Sequence, residues 1–248
     1  MLTLFLGFLG SKNMNIEEYW HDIDQRLEHL LEDGYVKLPS LSSFDLDLLA
    51  ADISHEMGSL TFKELGSSHK NFLDYLEISK HLTPKLLEIA KNVYRYKGDS
   101  LNQYHVARKV DPGNSKEMFR AHFDSHLFTI VLPIKIPEKN EGGFSGDLIY
   151  FPNARKMPRN EFSNFFGKSY YKKYASKEGL EKFSSNHKKK EDNFRDYQPL
   201  LFVGNTTLHT NYPVSLCCSS YRLTLLAHFF DPSPKYGIGS LLRFIRNR

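Results

Sequence analysis

Three side chains, His122, Asp124 and His209, are the residues of this sequence best suited to bind a metal ion. His122 and Asp124 are separated by one residue, so both would project from the same face of a β-strand. His209 lies downstream in the segment LHTNYPV, among residues typical of strands. Two imidazoles and one carboxylate suit a divalent iron ion and leave three coordination positions open. We therefore predict an iron site with room for small molecules.

A cation and a hydroxyl follow this ligand set. Arg222 lies thirteen residues after His209 and begins a strand-like run in which Thr224 shares its face. A 2-oxoacid would occupy two of the open positions on iron and leave one for dioxygen. A planar guanidinium can bind its far carboxylate through two parallel hydrogen bonds, and a hydroxyl can add a third. We expect Arg222 and Thr224 to bind 2-oxoglutarate in this way.

Several other polar side chains have two interpretations. Tyr104, His105 and Arg108 lie on a preceding strand, where they contact 2-oxoglutarate or substrate, or else form an ordinary solvated sheet face. Of these we assign Tyr104 to the co-substrate. His126 shares the face of His122 if the strand is regular, and it is either packed or close to the metal ligands. Asn205 follows a glycine, which favours a turn over a role in the site.

The N-terminal third of the chain has the spacing of helices, with one short strand. Apolar residues recur at helical intervals from residue 16 to residue 31, and a later run follows Thr83 as a cap. The expected elements are a helix over 16–31, a strand over 35–38, a helix begun by Ser42, Ser43 or Asp45, and a helix over 84–96.

After residue 100 the pattern changes to short, β-like runs. The expected strands cover residues 103–110, 128–134, 147–151, 200–203, 206–210 and 222–229. Helices first and strands afterwards indicate an α+β chain with a mainly antiparallel β core.

A long insertion separates two of the expected strands. It covers residues 160–196, and the wider segment 155–195 holds twelve Lys and Arg against five Asp and Glu, a net charge of +7. Loops of this length are usually functional lids or disordered insertions, and we expect a lid near the metal pocket. The run His187–Lys190 with nearby tyrosines is either a nucleic-acid contact or a solvated charge run.

Length and composition indicate one domain in a reducing compartment. The 248 residues are sufficient for one closed core, and the two cysteines, Cys217 and Cys218, are adjacent, so no disulfide framework is expected. The apolar start, residues 1–10, is too short to span a bilayer and is expected to be a tail or a surface segment. Residues 238–248 are expected to form a short helix. These features favour a cytoplasmic protein.

Four segments, in order, resemble the 2-oxoglutarate-dependent dioxygenases of the double-stranded β-helix fold: HFDSHLFTIVLPI, GGFSGDLIYFP, LHTNYPV and YRLTLLAHF. They are similar to the family's H-x-D strand, its Gly-rich hairpin, its distal H-x-x-x-P-V and its R-x-S/T strand. The N-terminal DGYVKLPSL is similar to the segment before the core in phytanoyl-CoA-hydroxylase-like members. The resemblance covers about residues 103–232.

The resemblance implies a jelly-roll, cupin-like core over 101–232, supported by helices in 1–100 and followed by a tail over 233–248. It implies Fe(II) held by His122, Asp124 and His209, with 2-oxoglutarate bound by Arg222 and Thr224. The expected activity is hydroxylation with dioxygen, release of succinate and CO2, and support by ascorbate. The substrate is expected to be small or carrier-linked, with an anionic group as one option. Asp124 argues against halogenation, because the halogenating branch has a small residue there.

Two other functions stay open at this point. One is an oxygenase of the same fold that modifies nucleic acid, since the insertion is basic and rich in tyrosine; the absence of a second arginine in RLTLLAHF argues against it. The other is a catalytically silent binding protein, against which the intact set of metal ligands and Arg222 counts.

Overall fold

The computed structural model describes residues 15–64, 67–114, 118–138, 143–158 and 161–232. The expected α+β class with a double-stranded β-helix core is confirmed. The helices are α1 (Ile16–Tyr19), α2 (Ile23–Asp33), α3 (Leu46–Met57), α4 (Ser67–Tyr75), α5 (Ile78–His81), α6 (Thr83–Asn92), α7 (Glu161–Tyr171) and α8 (Lys177–Ser184).

The strands form two antiparallel sheets. They are β1 (Tyr35–Lys37), β2 (Phe62–Glu64), β3 (Gln103–Val110), β4 (Phe128–Lys135), β5 (Leu148–Phe151), β6 (Lys190–Asp192), β7 (Leu200–Val203), β8 (Leu208–Asn211) and β9 (Arg222–Phe229). The large sheet has the order β1-β7-β4-β9-β3-β2, and the small sheet has the order β6-β5-β8. The expected strands over 103–110, 200–203 and 222–229 are therefore confirmed residue for residue.

The side chains of β9 explain how the large sheet separates two environments. Leu223 and Leu225 pack in the core shared with the helices, whereas Leu226 packs against the core between the sheets. Because side chains alternate along a strand, Arg222, Thr224 and His228 share the inner face with Leu226. The strand thus turns its polar residues toward the interior of the β-helix.

The outer face of the large sheet is covered by the N-terminal helices. Fully buried residues from α3, β4 and β9 belong to one continuous apolar cluster, which includes Leu49, Ile53, Ile130 and Phe229. Apolar burial of this kind is the main driving force for docking the helices on the sheet.

The inner cluster joins the two sheets. Val131 and Phe202 from the large sheet pack with Leu148 and Tyr150 from the small sheet, and Phe194 completes the cluster. This apolar layer holds β5 and β8 opposite β4 and β9, which sets the distance between the metal-ligand candidates and the inner face of β9.

The first expected helix is divided. Residues 20–22 form a turn between α1 and α2, and the chain's single tryptophan, Trp20, lies in it. Trp20 is 4% exposed, its Nε1 donates a hydrogen bond to the Leu76 carbonyl at 2.8 Å, and its ring stacks on His81. Apolar spacing continues across the break, so periodicity alone predicts one helix.

Within the described residues, no helix has the length and apolar character needed to cross a membrane. Neither Cys217 nor Cys218 forms a disulfide within the described residues; Cys217 is exposed and Cys218 is buried. The expectations for residues 1–10 and 238–248 concern segments outside the described residues.

Candidate metal centre

The structure brings His122, Asp124 and His209 together at one point. Asp124 Oδ1 lies 3.6 Å from His122 Nε2 and 3.7 Å from His209 Nε2, and one ligand atom from each residue fits within 4.8 Å of the others. Two ligands that each lie about 2.1 Å from one ion, at right angles, are about 3 Å apart. Small side-chain rotations would therefore place all three atoms on one ion.

Backbone pairing explains why these residues meet. His122 and His209 exchange two backbone hydrogen bonds of 3.1 Å, and the Asp124 N–H donates to the Gly204 carbonyl at 3.1 Å. Our expectation that the H-x-D segment is a regular strand is wrong, because only this single bridge joins it to β8. The alternation nevertheless holds, since Phe123 points away from the two ligands and packs against Tyr171.

The histidine tautomers are set by backbone carbonyls. His122 Nδ1 lies 2.7 Å from the Arg120 carbonyl oxygen, and His209 Nδ1 lies 3.2 Å from that of Thr207. A carbonyl only accepts hydrogen bonds, so each Nδ1 carries the proton and each Nε2 keeps its lone pair. Both Nε2 atoms face Asp124, as metal ligation requires.

The cluster favours one charged carboxylate among neutral imidazoles. Burial opposes ionisation of the Asp124 carboxyl, but three neighbouring histidines, in the protonated form that they take up at low pH, outweigh it and hold its pKa well below the usual range. Their order of effect is His209, His228 and His122. Burial lowers the pKa of His209, and partial burial together with His209 lowers the pKa of His122 to about 4. At neutral pH all three candidate ligands are in the form that binds a cation.

Two buried residues that the sequence analysis did not single out contact Asp124. The Thr129 hydroxyl donates to Asp124 Oδ2 at 2.6 Å, and His228 Nδ1 lies 3.0 Å from the Thr129 oxygen. Thr129 and His228 are directly opposite each other in the β4–β9 register. Extending the alternation of Arg222 and Thr224 by four residues would have placed His228 on the inner face.

The candidate co-substrate residues divide between two ends of β9. Arg222 is 4% exposed and Thr224 is 3% exposed, and both are on the inner face. Tyr104 pairs with His228, six residues further along β9 than Arg222, or about 20 Å at strand spacing. The structure therefore places Arg222 and Thr224 together but puts Tyr104 at the opposite end, where its ring stacks on His126.

Arg222 is a buried cation whose hydrogen-bond donors are not all used. Its Nη2 has no hydrogen-bond partner among the described residues. Burial and the nearby Arg108 lower the pKa of Arg222 to about 9, while Asp147 and Asp192 act in the opposite direction. A bound carboxylate would fill this unmet bonding capacity, so the surroundings of Arg222 fit a carboxylate group.

The structure also places the polar residues for which the sequence allowed two interpretations. His126 stacks on His228 at 5.3 Å and is not part of the metal-ligand group. Asn205 is in a turn, as favoured, and its amide donates to the Ser125 carbonyl. His105 faces Phe229 on the outer side of the sheet, and Arg108 donates to Asn211 between the sheets.

The insertion is folded and lies beside the loop over residues 122–126, which carries His122 and Asp124. It contains α7, a 3-10 turn (Lys172–Tyr174), α8 and β6, and β6 pairs with β5 in the small sheet. Lys168 Nζ donates to the Ser125 hydroxyl at 3.0 Å, one residue from Asp124. This contact places α7 next to the segment that carries Asp124, and the lid function stays a prediction.

Comparisons with known proteins find similarity in fold alone. No protein-family profile matches the sequence, and no curated protein matches it. A solved structure described as prolyl 4-hydroxylases from Phytophthora capsici aligns with a TM-score of 0.53 at 12% identity, covering 96% of this chain and 76% of that one.

Two further solved structures align less closely. A prolyl hydroxylase from Trichoplax adhaerens, in complex with a hypoxia inducible factor peptide fragment, gives a TM-score of 0.49 at 10% identity, with 90% of this chain and 94% of that chain covered. A non-heme alpha ketoglutarate dependent epimerase from nogalamycin biosynthesis gives 0.47 at 11% identity, with 88% of each chain covered. The P. capsici structure confirms the double-stranded β-helix, and the resemblance seen in the sequence agrees with that fold.

Proposed function

We propose that this chain is an Fe(II)- and 2-oxoglutarate-dependent dioxygenase that hydroxylates its substrate. The observation that carries the proposal is the convergence of His122, Asp124 and His209 in a fold shared with a prolyl 4-hydroxylase. Iron, 2-oxoglutarate and dioxygen together supply an oxidant that removes hydrogen from carbon, with succinate and CO2 as co-products.

The protein's own residues bind and orient these components. His122, Asp124 and His209 hold the metal, and Arg222 with Thr224 binds the far carboxylate of 2-oxoglutarate. The apolar cluster between the sheets contacts both ends of this site. Phe202 lies 4.9 Å from the His209 ring, and Phe194 lies 5.5 Å from the Arg222 guanidinium. These rings exclude water from the space between the two groups, which strengthens the charge interactions there.

The test is succinate formation by the purified chain. We expect iron, ascorbate, oxygen and 2-oxoglutarate to give slow succinate release without substrate, and faster release when a correct substrate is added. Mass spectrometry measures the succinate, and a metal chelator provides the control. Failure of the wild-type chain to bind Co(II) or 2-oxoglutarate under anaerobic conditions would refute the proposal.

The substrate is proposed to carry an anionic group. A groove of about 510 Å³ is lined by Arg155, Lys156, Tyr94 and Thr206. It lies next to the loop over residues 122–126, because Arg155 Nε donates to the Asn205 carbonyl at 2.7 Å and the Asn205 amide donates to the Ser125 carbonyl at 3.2 Å. A positive groove beside the site raises the local concentration of anionic substrates.

Lysine substitution tests this substrate preference. We expect Lys156→Met to raise KM for an anionic substrate and leave kcat unchanged, because the charge acts on binding alone. Lys85→Met is the matched control, since Lys85 pairs with Asp24 on the N-terminal helices. Equal kinetic parameters in both variants would remove the groove from the substrate path.

A second candidate function is oxidation of a single-stranded nucleic acid by the same centre. It is favoured by the outward face of α7, where Phe165, Phe166 and Tyr170 are exposed and Lys173 Nζ lies 3.6 Å from the Tyr170 ring centre. Aromatic rings interleaved with lysines bind such strands by base stacking and phosphate contacts.

Oligonucleotide binding distinguishes this candidate. Fluorescence anisotropy with labelled single-stranded RNA and DNA should show tight, salt-dependent binding that Phe166→Ser weakens. Leu101→Ser is the control, because Leu101 is also exposed, at 86% compared with 66% for Phe166, but lies two residues before β3, outside the insertion. Absent binding, or an equal effect of both substitutions, would exclude the candidate.

A further inference from the structure

The two oxygens of Asp124 have different surroundings. Oδ1 faces the candidate ligands His122 and His209 at 3.6 and 3.7 Å. Oδ2 instead accepts the hydrogen bond from Thr129 and lies 3.8 Å from His228 Nδ1. Asp124 itself is 8% exposed, so protein groups determine the orientation of its carboxylate. One oxygen is directed toward the metal centre and the other is engaged by the sheet.

The direction of each hydrogen bond in this chain follows from its chemistry. An ionised carboxylate has no proton, so Thr129 must donate its single hydroxyl hydrogen to Asp124. The Thr129 oxygen then accepts from His228, which lies 3.0 Å away and must carry its proton on Nδ1. His228 therefore donates to Thr129, and Thr129 donates to Asp124.

The sheet fixes the geometry of this chain. Thr129 on β4 and His228 on β9 are register partners, and they are 1% and 9% exposed. The His228 ring is further restrained by stacking on Tyr104 at 6.0 Å and on His126 at 5.3 Å. The hydrogen-bond donors are therefore set in place by the β-helix itself, and not by a mobile loop.

We propose that Thr129 and His228 are positioning residues that hold Asp124 Oδ2 so that Asp124 binds the metal through Oδ1 alone. This inference rests on the proposed function. A carboxylate that binds through both oxygens fills two of six coordination positions, which leaves two after both histidines. Binding through one oxygen leaves three, the number that a two-point co-substrate and dioxygen require. The hydrogen-bond chain thus keeps the third position available.

The test compares two substitutions at Thr129 in Co(II)-loaded protein under anaerobic conditions. Thr129→Val keeps the branched shape and removes the hydroxyl, whereas Thr129→Ser keeps the hydroxyl. Losing a hydrogen-bond partner of a metal ligand usually costs about 10- to 100-fold in metal affinity or activity. We expect Thr129→Val to show a loss of about this size, roughly 10- to 100-fold, in 2-oxoglutarate binding, because Oδ2 would then fill the third coordination position. Its Co(II) affinity should change by less than about threefold, because Oδ2 then joins Oδ1 as a ligand. Thr129→Ser should stay within about twofold of wild type for both ligands.

The visible absorption spectrum of bound Co(II) gives a readout independent of turnover. Because it reports the ligands and their geometry around the ion, it should change in Thr129→Val, where a carboxylate oxygen would replace a water, before 2-oxoglutarate is added, and should remain that of wild type in Thr129→Ser. An unchanged Thr129→Val spectrum with wild-type 2-oxoglutarate affinity would overturn the positioning role. So would equal losses in Thr129→Val and Thr129→Ser.

A second pair at His228 keeps the inference testable if Thr129→Val does not fold. His228→Asn places an amide N–H near the position of Nδ1–H, whereas His228→Leu offers no donor. We expect His228→Asn to retain 2-oxoglutarate binding and His228→Leu to reproduce the Thr129→Val loss, with far-UV circular dichroism as the folding control. Equal binding by the two His228 variants would refute the positioning role. A wild-type chain that binds neither Co(II) nor 2-oxoglutarate would instead refute the proposed function.

Discussion

Substituting Gly146 by alanine should displace Arg222 and weaken 2-oxoglutarate binding. Gly146 has a φ of +79° and lies against the buried Arg222 side chain. A Cβ at this position would approach Arg222 Cδ to 2.8 Å and Val214 Cγ2 to 3.0 Å. Both distances are shorter than a normal van der Waals contact, so the neighbouring side chains must move.

Gly113→Ala is a matched control for the backbone effect. Gly113 also has a φ of +79°, but its added Cβ would meet the side chain of Leu216, which is 84% exposed and free to rotate. Left-handed backbone in a non-glycine residue costs about 1–2 kcal/mol. Overpacking a buried site adds about 1–3 kcal/mol. Gly113→Ala should therefore lose about 1–2 kcal/mol of unfolding free energy, and Gly146→Ala about 2–5 kcal/mol.

The functional consequence is calculated from the Arg222 hydrogen bonds. A hydrogen bond to a charged group contributes about 1.5–3 kcal/mol, so a displaced guanidinium should raise the 2-oxoglutarate Kd by about 10- to 100-fold. Urea unfolding measures the stability of both variants, and anaerobic titration of the Co(II)-loaded proteins measures the affinity. Wild-type 2-oxoglutarate affinity in Gly146→Ala would refute the placement of Arg222 in the co-substrate site.

Three further predictions concern charge. Asp124→Ala should reduce Co(II) affinity by roughly 100-fold or more in a metal titration and abolish succinate formation with little change in circular dichroism, and undiminished succinate would exclude Asp124 as a ligand. Arg222→Lys should keep the charge but lose the two-pronged geometry, so titration should show 2-oxoglutarate affinity falling about tenfold with Co(II) affinity unchanged; parallel losses would contradict this. Burial lowers the pKa of His105 to about 4, below its unfolded value of about 6.5, so the unfolded state binds more protons between these values. Its contribution to stability is complete above about pH 6.5 and is lost as pH falls toward 4, so urea unfolding of His105→Gln should depend less on pH than wild type. His29→Gln, at an exposed site, controls for the substitution itself.

Parts of the β core could be predicted from the sequence because the apolar patterns of those strands are regular. β7 is an uninterrupted apolar run that is buried on both faces, while β9 has polar residues at three of its four inner-face positions. The metal ligands were predictable because their residue types restrict the chemistry. Their convergence, however, depends on the His122–His209 bridge, which joins segments almost ninety residues apart and has no local signal.

Other features depended on tertiary contacts that local patterns do not encode. The insertion looked like a polar loop, yet α8 buries Leu180 and Phe183 against the core near Phe151. Thr129 and His228 were missed because a threonine or histidine within an apolar strand usually indicates a satisfied core residue. Only the register of β4 with β9 shows that both lie beside Asp124.

The single tryptophan makes one layer of this protein visible to fluorescence. Trp20 is anchored to Leu76 and stacked on His81, so its emission reports the packing of the N-terminal helices and not the state of the β-helix. Far-UV circular dichroism, in contrast, reports both layers. If the helices separate from the sheet before the strands unfold, denaturation curves recorded by the two signals will have different midpoints. Emission from this one residue thus allows undocking of the helical layer to be distinguished from unfolding of the strands that carry the metal-ligand candidates.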